Sequence, residues 1–304
     1  MPVSPLNSER IMPQYKCNLL IPGAAKSGTS SLHQLLGMHP DVVMSRPKEP
    51  QFFSFDRLFN QGARAHNNIF CDTGETEDVV YWGESSQSYF VHDHAIERIQ
   101  HELGPTKIIL LLRDPFDRLL SHYTWRRKQG VESRPLRTAI QESGLSAGYE
   151  YDPESDIYRA EGGYLLFSKY SVYVPKWIDA FGEKNVLLLR TEDLKNHQSE
   201  MANACFQFLG LEDYDIDSHI YAHSTAQTTR LPHYLPAPLR AAAKAIPKRV
   251  RETSIAKRIL AAVRKLSTPS SDADISPELE AELRDRLEPD FTLHNSVPRI
   301  ASYS

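Results

Sequence analysis

The sequence predicts an α/β fold: a P-loop-like parallel sheet of about four to five strands flanked by helices, in a single domain. Two observations carry this expectation. Short aliphatic runs at residues 17–22, 79–83, 107–112 and 185–189 alternate with stretches of helical periodicity, the βαβ order that builds a parallel sheet covered on both faces. Two of these runs end in polar turns that open straight into helices, and ligands of such sheets gather beyond the carboxyl ends of the strands.

The first run ends at Gly23 and is followed by a Gly/Ser/Thr-rich turn and a helical stretch over residues 30–37. The run at 107–112 is continuous and aliphatic, as a strand buried on both faces requires. Asp114-Pro115 then opens a helix running toward Gly130, proline being suited to a first helical turn. Residues 170–181 and 200–209 carry apolar side chains at helical spacing and read as core-packing helices around the last strand. The core is expected to span 17–230. A basic helical segment follows at 236–266, rich in Lys and Arg with Glu252 as its one acid over 240–265, and reads as a solvated helix face or a weak membrane-surface contact. Residues 267–275 read as a loop, and Ser276-Pro277-Glu278 as the cap and first turn of a closing helix over 276–288.

A net charge of -4 over 304 residues gives no reason to expect a nucleic-acid partner. Three cysteines, Cys17, Cys71 and Cys205, lie far apart without CxxC spacing, against a disulfide scaffold or a zinc knuckle. No run approaches the roughly 20 apolar residues of a transmembrane segment, and the chain reads as cytoplasmic.

Gly23-Ala24-Ala25-Lys26-Ser27-Gly28-Thr29-Ser30-Ser31 places a lysine, small residues and hydroxyls between a strand and a helix start, where backbone N–H groups and the helix dipole bind phosphate. A nucleotide triphosphatase loop needs its lysine directly after the second glycine, whereas Lys26 stands two residues before Gly28. Arg113-Asp114-Pro115 follows the second strand, and Ser121 comes eight residues after Arg113. Arginine at a strand end offers a bidentate, charge-assisted phosphate contact. Taken singly, Arg113 would pair with Asp117 and Ser121 would be a helix-surface residue. Asp117 and Arg118 read as structural ion-pair partners.

These motifs resemble the sulfotransferases that use 3′-phosphoadenosine 5′-phosphosulfate (PAPS). Lys26-Ser27-Gly28-Thr29-Ser30-Ser31-Leu32 fits the family's 5′-phosphosulfate loop, and Arg113 with Ser121 fits its 3′-phosphate motif. The resemblance runs through residues 18–210 and includes His39-Pro40, Gly83-Glu84-Ser85 before Tyr89, Tyr170 seven residues before Trp177, Glu192-Asp193-Leu194 and Phe208-Leu209-Gly210. It implies a PAPS site made by Lys26, Ser27, Gly28, Thr29, Ser30, Arg113 and Ser121, with Arg230 from a late loop, and no metal.

Lys48-Glu49-Pro50-Gln51-Phe52-Phe53 resembles the base segment of the heparan-sulfate-type branch, so the resemblance makes Glu49 the catalytic base and Lys26 the group that meets the departing phosphate. The flanking prolines suggest an extended loop. Without the resemblance, Glu49 would pair with Lys48 or Arg46, and His92, His94 and His122 are competing bases. Some heparan-sulfate-type members carry a lysine where this chain has Ser85, which argues against a glycosaminoglycan acceptor. The expected reaction is sulfuryl transfer to a hydroxyl or amine of a carbohydrate, lipid or small metabolite, with residues 60–78, 132–163 and 230–270 shaping that choice. A kinase or NTPase, and a noncatalytic nucleotide-binding protein, are the alternatives.

Overall fold

The structure is a computed structural model that describes residues 14–73, 78–128, 131–143, 147–152, 157–194, 197–216 and 275–300. Its strands are β1 (Leu19–Gly23), β2 (Val42–Met44), β3 (Tyr81–Glu84), β4 (Lys107–Leu112), β5 (Ala147–Asp152), β6 (Ile157–Gly162) and β7 (Val186–Arg190). Its helices are α1 (Thr29–Leu36), α2 (Asp56–Phe59), α3 (Gly62–Asn67), α4 (Asp93–Leu103), α5 (Pro115–Lys128), α6 (Leu136–Ser143), α7 (Tyr170–Phe181), α8 (Thr191–Leu194), α9 (Gln198–Leu209), α10 (Pro277–Arg286) and α11 (Glu288–Ser296).

Five strands form one sheet in the order β2-β3-β1-β4-β7, every neighbouring pair parallel, while β5 and β6 form a separate antiparallel pair. The period of two along a strand sends alternate side chains to opposite faces. From β4, Ile108, Leu110 and Leu112 join Leu20 and the inner faces of α4 and α7, represented by Ile96, Ile99, Val174 and Trp177. Ile109 and Leu111 join Leu19, Ile21 and Leu189 under α1 and α9, where Leu32, Leu36, Met201 and Phe206 close the layer. All five β4 residues from Ile108 to Leu112 are fully buried, and each such side chain contributes roughly 1.5–3 kcal/mol relative to exposure. That double burial is why the run carries no polar residue.

The sheet has its switch point between β1 and β4: from β1 the chain moves outward to β2 and β3, then returns to the other side of β1 for β4 and β7. The loops after β1 and β4 therefore flank one crevice, as the rule for open sheets of this kind requires. The turn after β3 lies on the other side of the β1 loop.

A third apolar cluster joins Phe116, Leu119 and Tyr123 of α5 to Leu136 and Ile140 of α6, to Tyr164, and to Leu279 and Leu283 of α10. Ser276 caps α10 by accepting from the Leu279 N–H at 3.3 Å, with Pro277 in the first turn. The following α11 docks on the start of α7 through Asp290, which is fully buried and accepts from the Ser171 N–H (2.8 Å), the Ser171 hydroxyl (2.7 Å) and Lys169 Nζ (3.2 Å). The 236–266 segment lies outside the described residues. Among the described residues no helix is long and apolar enough to cross a membrane.

Asp290→Ala leaves the Ser171 donors and Lys169 without their shared acceptor. Urea denaturation should show a loss of about 3 kcal/mol, the scale of breaking a buried charged contact; a change within experimental error would mean that α11 is not held by this contact.

Candidate active site

The turn after β1 is fastened on both sides. The Ala24 N–H donates to the Leu111 carbonyl of β4 at 2.8 Å, and the Thr191 hydroxyl at the start of α8 reaches both the Ser27 carbonyl (2.6 Å) and the Leu112 carbonyl (3.1 Å). Gly28 has φ +91°, and a Cβ there would lie 2.8 Å from Leu194 Cδ2, so both backbone conformation and space select glycine. Helix α1 starts at the next residue, Thr29. By helix geometry the amides of Gly28, Thr29 and Ser30 lack intrahelical acceptors, and they present the positive end of the dipole. Ser27 and Thr29 are buried and Ser30 is exposed.

The end of β4 is built around Arg113. Asp114 caps α5, its Oδ1 accepting from the Phe116 N–H (3.0 Å) and the Asp117 N–H (2.9 Å), with Pro115 as the first helical residue. The Asp114 N–H in turn donates to Glu192 Oε1 at 3.0 Å. Burial pushes the Glu192 carboxyl up, but its bonds to His294 and to the Asp114 amide outweigh this and hold it down at about 2. Tyr170 donates its hydroxyl to the Arg113 carbonyl at 3.0 Å. The buried Ser27 hydroxyl lies beside the Tyr170 phenolic hydroxyl, close enough to act on its ionisation. Arg113 also makes the long contact to Asp117 foreseen for it, at 3.8 Å. Ser121 is half-buried on α5.

Lys26 brings the two loops into one electrostatic unit. Its backbone is left-handed (φ 67°). Burial brings its ammonium down to about 8; Glu49 acts to raise it, while Arg113, Arg118 and Lys48 act to lower it. Lys26 Nζ also lies 5.0 Å from the centre of the Trp125 ring, which is 38% exposed. Trp125 was not singled out from the sequence. Its signal was position: one helical turn beyond Ser121, on the same face of α5.

The segment holding Glu49 departs from the extended form that its prolines suggested. Glu49 (φ 63°) and Gln51 (φ 56°) on either side of Pro50 are both left-handed, a conformation that costs non-glycine residues energy and persists only where surroundings enforce it. Hydrogen bonds from the turn after β3 do so, among them the Glu49 N–H donating to the Ser85 carbonyl at 2.9 Å. Ser85 is itself buried, its hydroxyl 2.8 Å from His33 Nδ1 of α1. One residue thus references both the Glu49 segment and the helix behind Lys26. Glu49 does pair with Lys48, at 2.6 Å, and it also acts on Lys26.

The competing histidines sit in aromatic or occupied surroundings. Burial, followed by Arg118, Arg126 and Lys26, pushes His122 well down. His92 is brought down to about 4 by burial and by His94, on which it stacks, and His94 is engaged with the Ser54 carbonyl at 2.7 Å. The expected pairing of Asp117 with Arg118 is not formed. Arg118 is fully buried, donating to Ser168 Oγ at 2.6 Å and to the Tyr164 carbonyl, because its place on α5 faces the 164–168 segment while Asp117 faces solvent. Arg230 lies outside the described residues.

A family model described as the sulfotransferase domain matches residues 16–232. The chain is 28% identical over 208 residues to the bifunctional heparan sulfate N-deacetylase/N-sulfotransferase 1 of Homo sapiens, covering 66% of this chain and 23% of that protein. It is 28% identical over 228 residues to the heparan sulfate glucosamine 3-O-sulfotransferase 6 of Mus musculus, covering 74% and 60%. The chain thus spans less than two thirds of the length of either curated relative. The crystal structure of a sulfotransferase from Alicyclobacillus acidocaldarius superposes with a TM-score of 0.56 at 25% identity, covering 69% of this chain and 87% of that one.

An anion bound between the two loops must favour the Lys26 ammonium and raise its pKa from about 8. At pH 9, binding of 3′,5′-bisphosphoadenosine should therefore take up a proton, and affinity should fall as pH rises through that range. Calorimetry in two buffers of different ionisation heat measures the uptake. It should vanish in Lys26→Ala; wild-type binding at pH 9 with no proton uptake would remove Lys26 from the anion site.

Proposed function

From the chain's membership of the sulfotransferase domain family, we propose that it transfers the sulfuryl group of PAPS to a hydroxyl or amine of an acceptor. The observation that carries this reading is the gathering of Arg113, Arg118 and Lys48 about Lys26, with Glu49 as the carboxylate that acts on it. A group of cations held partly or wholly out of water with so little counter-charge is completed by an anion of several charges, and PAPS supplies one at each end of its ribose. The open amides at the start of α1 and the hydroxyls of Ser27, Thr29 and Ser30 would hold the 5′-phosphate. Arg113 and Ser121 would select the 3′-phosphate.

In the proposed step the acceptor oxygen or nitrogen forms a bond to sulfur as the bond from sulfur to the 5′-phosphate oxygen breaks. Glu49 takes the acceptor proton, and Lys26 meets the charge growing on the leaving oxygen, so 3′,5′-bisphosphoadenosine departs as an anion. Catalysis then consists of positioning and electrostatics. Family membership supports sulfuryl transfer over the kinase alternative, as does the placement of Lys26 ahead of Gly28.

The curated relatives are named for transfer to nitrogen and to the 3-oxygen of glucosamine in heparan sulfate. A glucosamine-containing saccharide is accordingly the first acceptor to test among carbohydrates, lipids and small metabolites. The position at which some heparan-sulfate-type members have a lysine is here the buried, uncharged Ser85, which favours an acceptor less acidic than heparan sulfate.

Release of 3′,5′-bisphosphoadenosine from PAPS, followed with saccharide acceptors and with water alone, tests the roles. Glu49→Gln should retain bisphosphoadenosine affinity and lose about two to four orders of magnitude in turnover. Lys26→Ala should lose about a hundredfold or more. Wild-type protein that binds the nucleotide but releases none of it from PAPS would favour a noncatalytic binding protein, and wild-type turnover in Glu49→Gln would move the base elsewhere.

A further inference from the structure

Glu84 ends β3 and is fully buried, as are Ser86, Ser88 and Tyr89 in the turn that follows. A buried carboxylate is costly unless its oxygens are hydrogen-bonded. Here the Tyr89 hydroxyl donates to Oε1 at 3.0 Å and the Ser86 hydroxyl to Oε2 at 3.2 Å, while His66 Nε2 lies 3.3 Å from Oε1. Burial and Glu84 together push the thiol of neighbouring Cys17 well up, so that group stays protonated beside the carboxylate.

The same two hydroxyls face the Glu49 segment. Ser86 Oγ accepts from the Gln51 N–H at 2.9 Å, and the Tyr89 oxygen accepts from the Phe53 N–H at 3.2 Å. Backbone and side-chain bonds beside them complete the clamp: the Ser45 N–H to the Gly83 carbonyl (2.8 Å), the Glu49 N–H to the Ser85 carbonyl (2.9 Å), and the Ser54 hydroxyl to Ser88 Oγ (2.8 Å). Gln51 is one of the two left-handed residues that need such support.

A hydroxyl rotates to suit its partners. Ser86 and Tyr89 offer lone pairs to the Gln51 and Phe53 amides because their protons are drawn the other way, onto Glu84. Without an acceptor behind them, both hydroxyls would be free to turn their protons toward the loop, and the two amides would lose their fixed acceptors.

We propose that Glu84 is a positioning residue for Glu49, fixing the conformation of residues 49–53 by orienting the Ser86 and Tyr89 hydroxyls. This rests on the reading of Glu49 as the base. Glu84 itself acts only through its neighbours, so its effect belongs in turnover and in the protection of the loop amides, with nucleotide affinity left alone.

The test uses the full chain with Glu84→Gln, Ser86→Ala, Tyr89→Phe and Glu49→Gln in parallel, the middle two keeping the buried carboxylate should Glu84→Gln fail to fold. Amide exchange over residues 49–54 is compared with exchange in β4, turnover is read as nucleotide release from PAPS to water, and affinity is read with 3′,5′-bisphosphoadenosine. Ser86→Ala and Tyr89→Phe should each speed exchange in 49–54 but not in β4. Turnover should fall by about ten- to hundredfold, the size of a small misplacement of a catalytic group, with affinity within about twofold of wild type. Adding Glu84→Gln to the Ser86→Ala, Tyr89→Phe double variant should cost little more, since its route to the loop is already cut. Unchanged exchange, or faster exchange with unchanged turnover while Glu49→Gln is inactive, would overturn the positioning role and leave Glu49 as base. Full activity in Glu49→Gln would overturn both.

Discussion

The structure turns on a lysine whose charge is poorly solvated and poorly matched. Lys26 is held partly out of water between two sheet-end loops, with Arg113, Arg118 and Lys48 acting against its charge and Glu49 acting for it. In the low-dielectric interior those interactions are stronger than at a surface, so the protein stores an unmet demand for negative charge at one point. In the proposed reaction a phosphate placed there would relieve that demand, and a leaving oxygen that gains charge would relieve it further. The same burial that makes Lys26 costly in the free protein would make it effective against a developing anion in the proposed step.

Holding such a point charge in place requires that neither loop relax. Thr191 ties the Ser27 carbonyl to the end of β4, and Tyr170 ties the Arg113 backbone to α7. Ser85 couples the Glu49 segment to α1 through His33, whose imidazole burial brings down to about 4, leaving it neutral at physiological pH. The sheet supplies the rigid base: β4 is buried on both faces, and its neighbours β1 and β7 carry the residues that these bonds fasten. Chemistry at the site is thus referenced to the ends of β1, β3 and β4 through a few short polar contacts.

The sheet and the two charged loops were legible in sequence because each has a local signature. An aliphatic run such as Ile108 to Leu112 has no other stable place, and Asp114-Pro115 can be recognised as a helix start without tertiary information. What was not legible depends on distant partners. The three-residue strand β2 has too short a run to show a period, and α2 and α3 have no strong apolar stripe. The β5 and β6 pair had a signal in the alternating tyrosines Tyr149 and Tyr151, the second of them opposite Tyr158, but it lay in a segment expected only to vary. Left-handed backbone at Glu49 and Gln51 contradicts the local preference beside proline, and only the turn after β3 explains it. Arg118 looked like half of a surface ion pair because Asp117 is its neighbour in sequence; the helix turns the two to opposite surroundings.

In the proposed site the β1 and β4 loops together hold a ligand with phosphate at both the 3′ and 5′ positions, and not a triphosphate. Thermal unfolding of the wild-type protein with equal concentrations of 3′,5′-bisphosphoadenosine, adenosine 5′-monophosphate and ATP with Mg²⁺ tests this directly, because a ligand that binds only the folded state raises the melting temperature with its affinity. The bisphosphate should give a clear upward shift and the other two little. A larger shift with ATP and Mg²⁺, or equal shifts with the bisphosphate and the monophosphate, would contradict it.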